Sequence, residues 1–195
     1  MLLAAGALVS GGAPAAAQEL SLARISSYLN GLKTVRAKFT QINDDGSLST
    51  GRVFIRRPGN IRFEYDPPDD SLVLAWQGQV AVFDPKSNQG PQKFPLVKTP
   101  LSLILAKKVD LGQANMVVGH GYDGTATTVV AQDPKHPEYG TIRMVFTADP
   151  VELRQWVVED GSGQTTTVVL GQTQSGVSFP ADLFNIDKAT DERGF

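Results

Sequence analysis

Apolar and polar residues alternate along most of this chain, and this two-residue period constrains the fold more than any other feature. The first clear run is residues 35–40, where Val35, Ala37 and Phe39 alternate with polar side chains. Residues 61–65 alternate in the same way, and residues 53–57 read as a strand with positions 53, 55 and 57 on one face; turn sequences rich in Gly, Pro, Asp and Asn separate these segments. Side chains two positions apart share one face of a β-strand, so each run predicts a strand with one buried face.

The same pattern continues to the end of the chain. Short apolar runs alternate with turn sequences such as 160–163, and a short turn over 181–184 is followed by a predicted final strand. These signals predict about ten or eleven short strands, two clear helices and no internal repeat. The fold class is therefore mainly β, with one antiparallel sheet curled towards a barrel. Residues 18–195 are the right length for a single domain.

Helical spacing is clear in two places. Leu22, Ile25 and Leu29 recur at helical intervals between Ser21, in the N-cap position, and Gly31, a stop signal, so a first helix is expected over about residues 20–30.

The second predicted helix is short and very apolar, over residues 99–107. Thr99 is its expected N-cap, and Leu101, Ile104 and Leu105 form its apolar side. Above the concave face of a curled sheet, such a helix is either a lid over an apolar cavity or a part of the packed core. The spacing alone favours the packed core.

The first residues resemble an export signal. An apolar run over 2–9 is followed by an A-x-A pattern at 15–17, although no Lys or Arg precedes the run. This arrangement predicts a signal peptide of residues 1–17, cleaved after Ala17, and a mature protein that is exported to the periplasm.

Composition and missing motifs narrow the function classes. The formal net charge of -2 argues against a nucleic-acid partner, and the absence of Cys excludes disulfides and thiolate metal sites. The sequence contains no G-x-S-x-G, H-E-x-x-H or P-loop motif. His120 and His136 lie in Gly- or Pro-rich segments, and we interpret both as surface loop residues. We therefore expect no enzyme activity, no catalytic residues, no metal and no cofactor.

One segment resembles a known family. A strand ending in Arg56-Arg57-Pro58-Gly59, followed by the aromatic-rich strand 61–65, is similar to the hallmark segment of the LolA family of outer-membrane lipoprotein carriers. Residues 35–41, 82–85, 99–101 and 160–165 resemble other segments of the family in the same order. The resemblance covers about residues 20–190.

The resemblance implies a fold, a function and partners. The family fold is an incomplete antiparallel β-barrel (half-barrel), with an N-terminal helix and a short apolar lid helix that cover the concave face. Members receive triacylated lipoproteins from an inner-membrane ABC extraction complex, shield the acyl chains, and deliver the cargo to an outer-membrane acceptor or to the outer membrane itself. A carrier of this kind is expected to be a monomer.

The resemblance also implies roles for particular residues. Arg57 matches the arginine that hydrogen-bonds the lid and holds it shut, and Ile61 and Phe63 match apolar positions at the mouth of the cavity. We expect Leu72, Leu74 and Trp76 to line the cavity as well, with plain core as the alternative. The expected lid residues are Leu101, Ile104 and Leu105.

Two rival functions share this fold. A periplasmic lipid-sensing or lipid-binding regulator uses a related half-barrel, usually with a second domain. The outer-membrane acceptor is itself a lipoprotein and needs an N-terminal Cys, which this chain lacks.

Overall fold

The computed structural model describes residues 18–195. The predicted signal peptide, residues 1–17, lies outside the described residues. Twelve strands and three α-helices make up the described chain. The strands are β1 Thr34–Ile42, β2 Leu48–Arg56, β3 Asn60–Tyr65, β4 Leu72–Trp76, β5 Gln79–Phe83, β6 Gln92–Pro95, β7 Val117–Tyr122, β8 Thr127–Gln132, β9 Gly140–Thr147, β10 Glu152–Asp160, β11 Thr165–Leu170 and β12 Gln174–Ser175. The helices are α1 Leu22–Gly31, α2 Leu101–Leu105 and α3 Ile186–Glu192.

All twelve strands belong to one antiparallel sheet. Its order is β6-β5-β4-β3-β2-β1-β11-β10-β9-β8-β7, and the short strand β12 pairs with the first residues of β1. The sheet is open, because β6 and β7 are its two edges and do not pair with each other. The predicted mainly-β, single-sheet fold is confirmed.

The sheet curls strongly around its inner face. The rings of Phe63 on β3 and Trp156 on β10 have centroids 6.3 Å apart. Four strand spacings separate these strands in the sheet order, which corresponds to about 19 Å in a flat sheet. Only a curled sheet brings the two rings into contact, so the architecture is an incomplete barrel.

Helix α1 lies against this inner face, as its sequence predicts. The Ser21 hydroxyl accepts a hydrogen bond from the Arg24 N–H at 3.2 Å, and the helix ends at Gly31. Ile25 and Leu29 are buried in the same core as the inner residues of the sheet.

Helix α2 is shorter than the predicted 99–107. A 3₁₀ turn over Leu96–Lys98 precedes it, and the Thr99 hydroxyl donates to the Leu96 carbonyl at 2.8 Å instead of capping α2. The chain becomes extended again at Ala106. Ile104 and Leu105 are buried in the inner core, and Leu101 packs against it.

The prediction of a final strand was wrong, because residues Ile186–Glu192 form α3. The Asn185 side chain caps this helix by accepting from the Lys188 N–H at 3.0 Å, and Asp187 lies in its first turn, where an acidic side chain is favoured. Ile186 and Ala189 pack on the outer face of the sheet. None of the described helices combines the length and apolar character needed to cross a bilayer.

Candidate acyl-binding site

An apolar pocket lies beside α2, and residues of this helix form part of its wall. We call it the lid pocket. Its volume is about 260 Å³, and it lies between α2, the segment that follows α2, and the strands near β7. Its lining is Val97, Ser102, Leu103, Ile104, Ala106, Lys108, Val109, Leu111, Met116 and Met144. Eight of these ten residues are apolar, so the pocket suits a hydrocarbon group and offers little to a polar ligand.

The turn between β2 and β3 holds the C-terminal end of α2. Arg57 Nη2 donates to the Ala106 carbonyl at 2.6 Å, and the Gly59 N–H donates to the Leu105 carbonyl at 2.9 Å. The last carbonyls of a helix have no partner within the helix, so these two donors satisfy groups that would otherwise be exposed or unpaired. Gly59 has a φ of +78°, a conformation that glycine adopts without strain.

Arg57 is only partly satisfied in this arrangement. Burial lowers the pKa of its guanidinium from the ordinary value, but an arginine stays protonated at neutral pH. Its Nε is the one buried side-chain nitrogen or oxygen among residues 18–195 that lacks a hydrogen-bond partner. The unpaired buried Nε–H destabilises the closed position of Arg57 and offsets part of the stabilisation from the bond to Ala106, so this contact is easier to break than the bond alone would be.

Helix α1 holds the segment that follows α2 from the other side. The Asn30 side chain donates to the Val109 carbonyl at 2.7 Å and accepts from the Val109 N–H at 2.9 Å. The Ser26 hydroxyl accepts from the Leu111 N–H at 3.0 Å. The segment over 106–111 is therefore fixed by α1 on one side and by the β2–β3 turn on the other.

The structure brings most of the predicted site residues together. Ile61 and Phe63 are buried on the inner face, in one core with Ile104 and Leu105, and Leu101 packs against that core. Arg57 contacts the end of α2 as the family resemblance implies. The structure gives the positions of these residues. That they contact an acyl chain stays a prediction.

Leu72, Leu74 and Trp76 are not in the cavity, and this part of the prediction was wrong. They form a separate cluster on the outer face of the sheet, with Ala81, Phe83 and two residues of α3. Strand β4 is apolar on both faces: Val73 and Ala75 face the inner core. The alternative from the sequence, that these three side chains are plain core, matches their packing in this cluster.

Sequence reasoning missed several residues of the lid pocket. Met116 precedes β7 and belongs to no periodic run, so no sequence signal marks it. Met144 alternates with Ile142 and Phe146, a pattern that indicates a buried strand face but does not indicate a pocket. Both methionines line the pocket, and their unbranched side chains adapt readily to irregular shapes.

The two histidines have structural environments. His120 lies in β7, not in a loop as expected, and its Nε2 is 2.9 Å from the Leu20 carbonyl. His136 lies in a turn, 3.0 Å from a Glu138 carboxylate oxygen. Within residues 18–195, no three His, Asp or Glu side chains are grouped as metal ligands would be.

The sequence of this chain is similar to those of known lipoprotein carriers. The model of the family described as outer membrane lipoprotein carrier protein LolA matches residues 30–187. The outer-membrane lipoprotein carrier protein of Coxiella burnetii is 30% identical over 177 residues, which cover 86% of this chain and 83% of the relative. That of Azotobacter vinelandii is 25% identical over 180 residues, which cover 88% and 86%.

A solved structure shows the shared fold. The putative outer membrane lipoprotein-sorting protein domain from Vibrio parahaemolyticus has a TM-score of 0.51 and 9% identity, and the match covers 87% of this chain and 97% of that one. The family model spans more than half of the residues and one relative reaches 30% identity. This chain belongs to the LolA family of outer membrane lipoprotein carrier proteins.

Proposed function

We propose that this protein is a periplasmic carrier that binds the acyl chains of lipoproteins under α2 and delivers the lipoproteins to the outer membrane. The observation that carries the proposal is the lid pocket, an apolar space walled in part by a short helix whose end is held by two hydrogen bonds. Membership of a family of lipoprotein carriers supports the same role.

Burial of hydrocarbon supplies the driving force. Each CH₂ group that leaves water contributes about 0.8 kcal/mol, so a single long acyl chain provides far more binding energy than one or two hydrogen bonds at α2. The proposed role has no covalent step and needs no catalytic group.

The closed pocket is too small for the proposed cargo. Its volume of about 260 Å³ lies below the roughly 300–1,000 Å³ of pockets that enclose one drug-sized molecule. A triacylated lipoprotein therefore requires α2 to move away from the inner face. The Arg57–Ala106 and Gly59–Leu105 contacts are the bonds that this movement breaks, which makes Arg57 the proposed latch of the lid.

The proposed pathway has one partner that donates the lipoprotein and one that accepts it. An inner-membrane ABC extraction complex supplies the triacylated lipoprotein, and an outer-membrane acceptor or the outer membrane itself takes it. A cleaved signal peptide over residues 1–17 brings the carrier to the periplasm. The carrier acts as a monomer, because its one mouth must meet successive partners.

Release of lipoprotein from cells tests the proposal. Spheroplasts that make a triacylated lipoprotein are incubated with the purified protein, and the supernatant is examined for a soluble complex. We expect lipoprotein and carrier in equal amounts. A supernatant without lipoprotein, although the protein binds a fluorescent fatty acid, contradicts delivery and leaves lipid binding as the function.

A further inference from the structure

The outer face of the sheet carries a groove that the lid pocket does not reach. Two adjoining cavities of about 610 and 380 Å³ lie along β1 and β2 and share Lys38, Arg52 and Gly171 as lining residues. We call them together the outer groove. It forms where β11 leaves β1 after Leu170 and β12 rejoins β1 opposite Arg36.

The outer groove is lined by three cations on neighbouring positions. Lys38 is directly opposite Arg52 in the β1–β2 ladder, and Arg36 is two residues from Lys38 on the same face. Side chains at such positions are about 5–7 Å apart at Cβ. All three residues are exposed.

The carboxylates near the outer groove are too few to balance these charges. Asp66 also lines the larger cavity, where its carboxylate accepts a hydrogen bond from the Thr50 hydroxyl at 3.0 Å. Arg52 binds Glu64 at 3.1 Å, but the same carboxylate also binds Arg62 at 2.7 Å. Arg36 makes its hydrogen bonds to the neutral Gln174 amide, at 2.6 and 3.2 Å. Lys38 has no ion-pair partner among the residues that the structure describes. A protein with a net charge of -2 therefore concentrates positive potential here.

This arrangement costs stability in the folded protein. Like charges directly opposite each other in an antiparallel ladder are destabilising, and Lys38 and Arg52 form such a pair. A local arrangement that weakens the fold is expected mainly where it serves binding.

One end of the outer groove adjoins exposed apolar side chains. Ile42 and Leu48 are opposite each other on the outer face and are 39% and 67% exposed. Val169 is 37% exposed and lines the groove between them and Lys38. The surface is thus cationic at one end and apolar at the other.

We propose that the outer groove binds an extended acidic segment of a partner protein, with its carboxylates on Arg36, Lys38 and Arg52 and an apolar side chain at Ile42, Leu48 and Val169. The complementary charge identifies the partner as acidic. The concave shape favours a polypeptide segment over a bilayer surface, because a chain enters a groove two strands wide and a flat lipid surface does not.

Peptide binding to the purified protein tests this site. The probe is a fluorescent peptide of alternating glutamate and serine that ends in two leucines, and its matched control has glutamine at every glutamate. We expect the acidic peptide to bind with an affinity that falls as salt is added, and the neutral peptide to bind at least about tenfold more weakly.

Two charge reversals complete the test. Lys38→Glu should weaken binding of the acidic peptide at least about tenfold, while the melting temperature stays equal or rises because the substitution removes the like-charge pair. Arg143→Glu, at an exposed position on β9 opposite Val130 and Val157, is the control with the same change of net charge and should leave binding unchanged.

Several results overturn the proposal. These are no binding of the acidic peptide, equal binding of the acidic and neutral peptides, and equal losses in both variants. Binding to vesicles of anionic phospholipid, with no binding to the peptide, identifies a membrane surface as the occupant and also overturns it.

Discussion

Among single residues, Arg57 is the one whose contact with α2 matters most for the proposed carrier function. It follows β2 on the same face as Val53 and Ile55, and within residues 18–195 its side chain makes one hydrogen bond, to the Ala106 carbonyl that follows α2. In the proposed lid movement this bond breaks when α2 leaves the inner face, so we infer that it stabilises the empty carrier and not the loaded one. Its loss therefore shifts the balance towards the loaded state.

We predict that Arg57→Leu keeps the fold and the uptake of lipoprotein but impairs release. A hydrogen bond from a charged donor contributes about 1.5–3 kcal/mol, so the equilibrium should shift towards the loaded state by about tenfold or more. The measurement is transfer of lipoprotein from the isolated complex to outer-membrane vesicles. Arg143→Leu, at an exposed position on β9, is the control. Normal transfer by Arg57→Leu contradicts the latch.

Ionisation of the Tyr65 hydroxyl is expected to make the folded protein less stable at alkaline pH. Burial, together with the nearby Asp69 carboxylate, raises the pKa of its hydroxyl from 10.0 to about 12. The unfolded chain therefore ionises this group at lower pH than the folded one. The stabilisation is complete below pH 10 and is lost as the pH rises towards 12.

We predict that the free energy of unfolding falls by an amount on the order of 2–3 kcal/mol over this window, and that Tyr65→Phe removes most of that fall. The measurement is urea unfolding at a series of pH values. Burial also raises the pKa of Tyr28, so the free energy of unfolding of the variant should still fall with pH, but by a smaller amount. A fall of the same size in Tyr65→Phe contradicts this assignment.

Gly51 shows how closely the strands pack at one point. A Cβ at this position meets the Glu64 carbonyl oxygen of β3 and the ring of Phe39. A Cβ at Gly31, at the end of α1, would lie in open space. Gly51→Ala should therefore lower the free energy of unfolding by about 1–3 kcal/mol, while Gly31→Ala should change it little. Equal effects in urea unfolding contradict the close approach of β2 and β3.

At the scale of elements, strand β4 separates two apolar clusters. Its inner residues Val73 and Ala75 pack in the core under the helices, and its outer residues Leu72, Leu74 and Trp76 pack against α3. The two faces should respond differently to mutation, because only the inner one belongs to the enclosed space.

We predict that Trp76→Ala leaves the affinity for a fluorescent fatty acid unchanged, although it lowers stability. Leu103→Asn places an amide in the lid pocket and should weaken binding at least about tenfold. Probe fluorescence gives the affinities, and circular dichroism shows that both variants are folded. Weaker binding by Trp76→Ala, with Leu103→Asn unaffected, places the site on the outer face.

Sequence patterns predicted some of the helices and strands correctly and missed others. The period of two predicted the strands, and Ser21 and Gly31 predicted both ends of α1. The C-terminal helix was missed although Asn185 and Asp187 are standard start signals, since its seven residues span only two turns and offer little periodicity. The sequence also does not place Leu72, Leu74 and Trp76, which lie on the outer face of β4. A strand that is apolar on both sides does not show which side is enclosed.

At the scale of the whole molecule, the fold is an open sheet that needs helices to cover it. The edges β6 and β7 do not pair, and the chain between them forms the 3₁₀ turn, α2 and the segment that α1 holds. The inner core therefore has a rigid wall of strands and a cover attached by few bonds. The resemblance of the sequence to LolA predicted this cover and its arginine. It did not predict the methionines of the lid pocket or the outer groove, because those depend on which distant strands meet.

In the proposed function, lipoprotein enters only when α2 leaves the inner face. The sequence contains no Cys, so Asn60→Cys and Lys107→Cys can be introduced together and joined by a short, cleavable thiol cross-linker. The two positions adjoin the Gly59–Leu105 contact. Lipoprotein release from spheroplasts is then measured with joined, cleaved and single-cysteine proteins. We expect no release with the joined protein and full recovery of release after the cross-linker is cleaved. Release by the joined protein equal to that of the single-cysteine controls contradicts this expectation.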